Sequence, residues 1–142
     1  MRRDLTLAAY VLLTLLVLWA VADRLAPYHG TPAACTIGYV YDGDTVELIC
    51  GATRSTARLV GFDTPETKEP RCPAEAALGR RATERLRDLL RGGQVGIFRQ
   101  GHDKYGRDLI VVTVAGRDVG DLLVAEGLAH AYHGGSRGGW CD

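Results

Sequence analysis

The apolar and polar positions of this chain repeat with different periods in different stretches, and each period predicts one kind of element. Alternation over residues 35–50 predicts two strands of a hairpin joined at Asp42-Gly43, because this dipeptide favours a two-residue turn. Three short apolar runs predict further strands, and two stretches with helical spacing predict helices. The strands lie at 56–62, 94–99 and 109–116, and the helices at about 73–91 and roughly 118–126.

The order of these elements is β-β-β-α-β-β-α, which predicts a mainly β fold with α (α+β). Five short strands interrupted by one long helix suit a small closed barrel of the OB type, so we predict a five-stranded OB-fold barrel with two helices. A ferredoxin-like sandwich would need a second central helix earlier in the chain, and the pattern contains no such helix.

The first 22 residues differ from the rest in hydropathy. Residues 5–22 carry no charged side chain, and this run is near the lower end of the roughly 17–25 residues that cross a bilayer. Arg2 and Arg3 precede it, so the positive-inside rule predicts a cytoplasmic N-terminus. We therefore predict a transmembrane helix ahead of the barrel, with the domain outside the cytoplasm, in the periplasm or the extracellular space.

This interpretation divides the chain into three parts. Residues 1–22 form the anchor, residues 23–34 a proline-containing linker, and residues 35–142 the folded domain. A signal peptide cleaved near Ala20-Val21-Ala22 is one alternative, although the apolar run exceeds the roughly 7–15 residues of a signal h-region. A buried core helix is another, although the run has no polar face. Cleavage would make the domain a secreted protein.

Four cysteines follow the apolar run, and their even number suits an oxidising compartment. Their spacing lacks the C-x-x-C pairs of a zinc ribbon. Three pairings are possible, and the hairpin register favours one of them. If Asp42 and Gly43 form the turn, Cys35 lies opposite Cys50, which leaves Cys72 to pair with Cys141. Four free, buried cysteines are the alternative.

The same register predicts an unusual position for Asp44. It places Tyr39 opposite Val46, with both side chains on the apolar face of the hairpin. It also places Asp44 opposite Tyr41 on that face, at the end of the sheet. A turn aspartate that reaches solvent is the alternative interpretation.

Three polar clusters carry the candidate chemistry, and formal net charge is zero, so any affinity for nucleic acid depends on such local groups. Their carboxylates follow strand ends, and oxygen ligands without paired His or Cys indicate a hard ion, Ca²⁺ or Mg²⁺. Arginines beside them suggest a phosphate. Each cluster alone also fits an ordinary turn. The clusters are "DGDT" at Asp42 and Asp44, "RLVGFDTPE" at Arg58, Asp63, Thr64 and Glu66, and "DKYGR" at Asp103, Lys104, Tyr105 and Arg107.

In this order, "DGDT", "RLVGFDTPET" and "DKYGR" resemble the staphylococcal nuclease family, or thermonucleases. The resemblance covers about residues 36–133, and "GLAHAY" at 127–132 is similar to the family's stretch after the second helix. It implies a five-stranded OB-fold barrel and Ca²⁺-dependent cleavage of DNA and RNA phosphodiesters.

The resemblance also implies a role for each matching residue. Asp44 and Asp63 would bind Ca²⁺ through carboxylates, and Thr64 through its backbone carbonyl. Glu66 matches the proposed general base acting on a water. Three further sites follow the family pattern: phosphate-clamping arginines at Arg58 and Arg107, contacts to the nucleotide's other phosphate at Lys104 and Tyr105, and the nucleobase pocket at Leu109 and Tyr132.

The chain departs from the family pattern in three places. The loop after Lys68 is shorter, and Gly134 replaces a second pocket tyrosine. "GGSRGGWCD" stands where the family has a third helix, and we hypothesise that a Cys72–Cys141 tie replaces that helix as a C-terminal clamp.

We therefore predict an exported, membrane-anchored and monomeric Ca²⁺-dependent endonuclease that acts on DNA and RNA and needs no protein partner. The alternative is a catalytically inactive OB-fold module that binds single-stranded nucleic acid. A pure binder has no need for Asp44, Asp63 and Glu66 beside phosphate, because negative charge weakens binding there.

Overall fold

A computed structural model describes residues 2–25 and 31–141, with side chains described for 7–21 and 32–141. This part of the chain has a mixed α+β fold. Its helices are α1 (Arg2–Leu25), α2 (Pro73–Arg91) and α3 (Val119–Ala125). Its strands are β1 (Thr31–Pro32), β2 (Thr36–Val40), β3 (Thr45–Cys50), β4 (Thr53–Leu59), β5 (Gly61–Asp63), β6 (Val95–His102), β7 (Asp108–Val114), β8 (Arg117–Asp118) and β9 (His130–Tyr132).

One main sheet carries most of these strands, in the order β1-β6-β7-β4-β3-β2, with β8 paired to β7. Its neighbours are antiparallel except β4 and β7, which run parallel. A parallel pair needs a long crossover, and α2 with β6 provides it. Strands β5 and β9 pair separately. Three helices and this sheet fit the predicted OB-like fold.

The predicted strand at 56–62 is two strands. The chain leaves the main sheet after β4, and Gly61 has φ +95°, a conformation that favours glycine. Strand β5 then pairs with β9, with Gly61 opposite Tyr132 and Asp63 opposite His130. This break matters because it turns Asp63 back towards β4.

The hairpin register follows the prediction at its open end and departs from it near the turn. Ile37 pairs with Leu48, in the same register as the predicted Cys35–Cys50 pair, but Val40 rather than Tyr39 pairs with Val46. The predicted Tyr39 pairing is wrong because a β-bulge adds one residue to β2. The bulge turns Val40 into the core, 6% exposed, and leaves Tyr39 60% exposed.

Local contacts explain the bulge. Glu47 Oε2 occupies the space that a Cβ atom on Gly38 would need, and it accepts the Tyr39 backbone N–H at 3.4 Å. The predicted two-residue turn and the Tyr41–Asp44 pair are also wrong. Tyr41 N–H donates to Thr45 O at 2.9 Å, so the connection between the strands runs over 41–44.

Helix α2 packs one face against the sheet, and its predicted bounds are confirmed. Pro73 occupies its first turn, where a missing N–H costs nothing, and the Cys72 sulfur accepts the Glu75 N–H as N-cap. The core combines this face with the strands and α3. Its fully buried side chains include Val46, Leu48, Ala57, Leu59, Phe62, Ala82, Leu86, Ile110, Val112, Val119 and Leu123.

Both predicted disulfides are present. Cys35–Cys50 joins the open end of the hairpin, with a Cα–Cα distance of 4.3 Å. The bulge lies beyond this end, so it does not disturb the pairing. Cys72–Cys141 joins the start of α2 to the C-terminal segment, with a Cα–Cα distance of 5.9 Å.

The predicted transmembrane anchor over residues 1–22 gains no support. Among the residues whose side chains are described, which in α1 are 7–21, no helical stretch is both long and apolar enough to cross a membrane. Within the predicted linker, residues 26–30 lie outside the described residues, and β1 occupies 31–32.

Truncating Val40 and Tyr39 to alanine, one at a time, tests the register of the hairpin. Val40→Ala should lower the free energy of unfolding by about 2 kcal/mol, because it removes buried apolar surface. Tyr39→Ala should lower it by less than about 1 kcal/mol, because that side chain faces solvent. Denaturant unfolding of both variants measures the difference, and the reverse ranking would favour the bulge-free register.

Candidate functional site

Asp44 is one of two buried aspartates of the site, with 5% of the residue exposed. Its backbone carbonyl accepts Leu59 N–H at 2.8 Å, which joins the hairpin loop to β4. Its Oδ1 accepts the Thr45 hydroxyl at 3.0 Å, and its Oδ2 accepts Thr64 N–H at 3.2 Å. Asp44 is buried as expected from its position, although the register that led to this expectation is shifted by the bulge.

Arg58 connects the two buried aspartates. It lies on β4 opposite Thr45, with 11% of its side chain exposed. Nη1 is 2.5 Å from Asp44 Oδ1, and Nη2 is 3.1 Å from Asp63 Oδ1. Burial disfavours the charged form of Arg58, but the two carboxylates outweigh burial and hold its pKa above the ordinary value.

The site carries more carboxylates than Arg58 neutralises. Burial raises the pKa of Asp42 to about 6, and the charge of Asp44 adds to this effect. Burial also raises the pKa of Asp63, while Arg137 opposes the rise and Asp44 adds to it. A bound cation would reduce the electrostatic repulsion between these carboxylates.

The donor set fits a hard divalent cation. The carboxylates surround a cavity of about 100 Å³, and Asp63 joins it through its pairs with Arg58 and Arg137. No His or Cys lines this cavity among the residues described, and oxygen donors suit Ca²⁺ or Mg²⁺. The lining residues are Asp42, Asp44, Thr45, Arg58, Thr64, Pro65, Glu66, Arg107 and Arg137.

Glu66 borders this cavity from the loop before α2. Its Oε1 accepts the backbone N–H groups of Thr67 at 2.9 Å and Lys68 at 3.0 Å. Its own N–H donates to Glu75 Oε1 at 3.4 Å, while Glu75 Oε2 accepts Arg71 N–H at 2.6 Å. Buried Glu75 therefore connects the loop that carries Glu66 to the first turn of α2.

Arg107 is held by the loop between β6 and β7. Asp103 Oδ2 accepts Arg107 Nε at 2.7 Å, and Asp103 Oδ1 accepts the backbone N–H groups of Tyr105 and Arg107, each at 2.9 Å. Although partial desolvation raises the pKa of Asp103, these hydrogen bonds outweigh it and lower the pKa. Asp103, the first residue of "DKYGR", thus orients Arg107, the last.

A second cavity of about 540 Å³ opens beside the first, and the two share Arg58 and Arg107. The four residues predicted to contact nucleotide all line it. Tyr105 is exposed beside Lys104, and the Tyr132 hydroxyl donates to Gly135 O at 3.0 Å. The lining residues are Arg58, Val60, Gly61, Phe62, Asp103, Lys104, Tyr105, Arg107, Leu109, Tyr132, His133 and Gly134.

Sequence reasoning missed two residues of this region. Glu75 stands three positions after the N-cap Cys72, the spacing of a capping box, but its carboxylate accepts the N–H groups of Glu66 and Arg71 instead of that of the N-cap residue. Arg137 Nε lies 3.3 Å from Asp63 Oδ1, but no local pattern in "GGSRGGWCD" indicates this contact.

The predicted catalytic, metal-binding and nucleotide-binding residues other than Asp63 therefore line two adjoining cavities, and Asp63 is joined to them by its ion pair with Arg58. Their roles stay predictions. One cavity presents carboxylates, the other presents aromatic and apolar walls, and two arginines stand between them. An anion at the shared arginines would contact a cation in the first cavity and a ring in the second.

Comparison with known proteins gives a consistent result. The sequence pattern of "Staphylococcal nuclease homologue" matches residues 56–138. The endonuclease YncB of Bacillus subtilis (strain 168) is 38% identical over 101 residues, covering 69% of this chain and 47% of that protein. The SPbeta prophage-derived endonuclease YokF of the same strain is 37% identical over 101 residues, covering 69% and 34%. The thermonuclease of Staphylococcus hyicus is 33% identical over 94 residues, covering 65% and 55%. The match spans about half or less of each relative's own length.

Removing the Glu75 carboxylate tests the support of the Glu66 loop. Glu75→Ala should lower the free energy of unfolding by about 2 kcal/mol, because it leaves two part-buried backbone N–H groups without an acceptor. Amide exchange at Glu66 and Arg71 should accelerate with it. Glu84→Ala, on the exposed face of the same helix, is the control and should change stability by less than about 0.5 kcal/mol. Unchanged exchange in Glu75→Ala would contradict this role.

Proposed function

The chain belongs to the staphylococcal nuclease family, and on this premise we propose that it is a Ca²⁺-dependent endonuclease that hydrolyses phosphodiester bonds of DNA and RNA. One observation supports the proposal most directly. Arg58 and Arg107 line both the carboxylate cavity and the aromatic cavity. A nucleotide needs this combination, since its phosphate is anionic and its base offers a flat apolar face.

Asp44, Asp63 and Thr64 would hold the Ca²⁺ ion. Both carboxylates are buried and lie on the two sides of Arg58, and Thr64 follows Asp63 directly. A bound Ca²⁺ supplies Lewis-acid polarisation of a phosphoryl oxygen. The fold keeps the Asp44 and Asp63 carboxylates close together, and the ion pairs of Arg58 with both of them contribute to this.

The two arginines would stabilise the charge that develops during phosphoryl transfer. Attack on phosphorus places more charge on the equatorial oxygens than the ground state carries there, and fixed guanidinium groups favour that state. Asp44, Asp63 and Asp103 hold Arg58 and Arg107 before substrate arrives. Little reorganisation is then needed during the reaction.

Glu66 would accept the proton of the attacking water. A carboxylate serves as a base at neutral pH without a large change in its pKa, provided it lies within about 3 Å of that water. Glu66 is exposed at the cavity edge, and the backbone N–H groups of Thr67 and Lys68 hold one of its oxygens. This contact orients the carboxylate.

The aromatic cavity would bind the nucleotide. Tyr132 and Leu109 provide the walls for the base, and Lys104 and Tyr105 lie near the mouth for a second phosphate. Gly134 also lines this cavity, at the place where the family pattern has another tyrosine. Binding of the base thus depends mainly on Tyr132.

We also propose that the domain works outside the cytoplasm. Its two disulfides support this location, because disulfides persist in oxidising compartments and are rare among reduced cytosolic proteins.

A cleavage assay tests the nuclease proposal. The purified chain should cut plasmid DNA and RNA with Ca²⁺ present and should stop when EDTA removes the metal. Arg107→Ala should lower the rate by about 10²–10³, by analogy with loss of one transition-state donor. Glu66→Ala should lower it by about 10²–10⁴, as expected for loss of a general base. Arg91→Ala, an exposed arginine on α2, is the matched control and should cut at the wild-type rate.

Two outcomes would overturn this assignment. Cleavage that persists in EDTA would remove the metal from the mechanism. Tight binding of single strands without any cleavage by the wild-type chain would instead identify an inactive OB-fold binding module.

The nucleobase wall can be tested by binding alone. Tyr132→Ala should weaken binding of a single-stranded oligonucleotide about tenfold in EDTA, because one base loses its stacking partner. Tyr132→Phe retains the ring and loses only the hydroxyl bond to Gly135, so it should bind like the wild type. Fluorescence anisotropy measures both. Equal losses in the two variants would assign the effect to the hydroxyl.

A further inference from the structure

Arg137 is a third arginine at the carboxylate cavity, and it comes from a segment without helix or strand. Its Nε lies 3.3 Å from Asp63 Oδ1, the same oxygen that lies 3.1 Å from Arg58 Nη2. Two guanidinium groups therefore meet at one carboxylate oxygen. Asp63 is 6% exposed at its side chain, whereas Arg137 is 51% exposed, so Arg137 reaches this oxygen from the solvent side.

The segment that carries Arg137 is fixed on both sides. Before it, Gly135 O accepts the Tyr132 hydroxyl at 3.0 Å. After it, the Trp140 ring stacks on the His130 ring with a centroid distance of 3.8 Å and an interplanar angle of 11°. Cys141 then joins Cys72 at the start of α2. These contacts restrict where Arg137 can lie, although its backbone has no regular structure.

Arg137 keeps donors that its ion pair does not use. A guanidinium has five N–H donors in a planar fork that matches phosphate oxygens. Its pair with Asp63 uses Nε, and among the described residues its Nη groups have no ion-pair partner. The side chain lines the carboxylate cavity and also a neighbouring cavity of about 230 Å³ that contains Glu66.

The pair of guanidinium groups at Asp63, rather than the net charge of the whole site, favours an anion at this position. Arg58 and Arg137 repel each other where they meet at Asp63, and a cation bound to the carboxylate would add to this repulsion. A phosphate between the two guanidinium groups relieves it with charge-assisted hydrogen bonds.

We propose that Arg137 contacts a phosphate group of bound nucleic acid beside Arg58, and that the Cys72–Cys141 disulfide positions it there. This inference rests on the proposed nuclease function, since it concerns the same site. The C-terminal segment would then bind substrate in addition to being joined to α2 by the disulfide.

Binding of a fluorescent single-stranded DNA oligonucleotide tests the contact, with EDTA present so that cleavage does not interfere. Arg137→Ala should weaken binding about tenfold, as expected for loss of one charge-assisted hydrogen bond. It should also reduce the dependence of log K on log salt concentration by about 0.7, the share of one single-strand phosphate. Arg137→Lys should recover part of both effects, and Arg91→Ala should change neither.

A separate set of variants tests whether the Cys72–Cys141 disulfide positions Arg137. The double variant Cys72→Ser/Cys141→Ser should bind as weakly as Arg137→Ala, and adding Arg137→Ala to it should cause no further loss. The matched control is Cys35→Ser/Cys50→Ser, in which Arg137→Ala should still weaken binding about tenfold. Circular dichroism identifies variants that retain the fold. If the Cys72/Cys141 variant is unfolded, Trp140→Ala replaces it, because it removes the stacking on His130 that fixes the same segment and leaves both disulfides in place. Wild-type binding by the Cys72/Cys141 variant would overturn the positioning role.

Other outcomes separate this inference from the function it rests on. Unchanged affinity and salt dependence in Arg137→Ala, with normal cleavage by the wild type, would overturn only the role of Arg137. Tighter Ca²⁺ binding in Arg137→Ala, with unchanged oligonucleotide binding, would mean that Arg137 competes with the cation for Asp63, and would also overturn it. A wild-type chain that neither binds nor cuts nucleic acid would overturn the proposed function itself.

Discussion

The ion pairs of Arg58 with Asp44 and Asp63 are the interaction on which the rest of the site depends. Three buried charged groups lie in contact, and each would be costly to bury alone. Asp44 lies in the loop after β2, Arg58 on β4 and Asp63 at the end of β5. These pairs therefore form only when the hairpin, β4 and the break after it are all in their native positions. The packing of these three parts of the chain is therefore what brings the charged groups of the site together.

Each arginine of the site is oriented by a carboxylate. Asp44 and Asp63 hold Arg58, Asp103 holds Arg107, and Asp63 also contacts Arg137. This arrangement reduces the freedom that a long side chain would otherwise lose on binding. It also offsets part of the repulsion between the guanidinium groups before an anion arrives. Glu75 has a comparable role for the backbone, since it holds the loop of Glu66 through N–H groups.

Much of the fold was predictable because its signals are local. The bounds of α2 follow from Pro73 at its start and the glycines after Arg91, and the structure confirms them. The Cys35–Cys50 pairing followed from the register of a hairpin turning at Asp42-Gly43, and it is correct although that turn is wrong, because the register holds at the open end of the hairpin. The bulge at Tyr39 was not predictable from period-2 alternation, since it depends on Glu47 filling the space beside Gly38. The same limit applies to the break after β4, where pairing with β9 competes with continuation of the strand.

The sequence by itself determined the order of the elements and the candidate residues on them, through turn residues, caps, strand periods and three motifs. Those signals extend over a few residues, so they identify Asp44, Arg58, Asp63, Glu66 and Arg107 as candidates without giving their distances. Tertiary structure alone decided that Arg58 contacts both aspartates and that Arg137 reaches Asp63 from a segment 74 positions further along the chain. The reason is physical: burial and ion pairing depend on separation in space, and only the folded chain determines that separation.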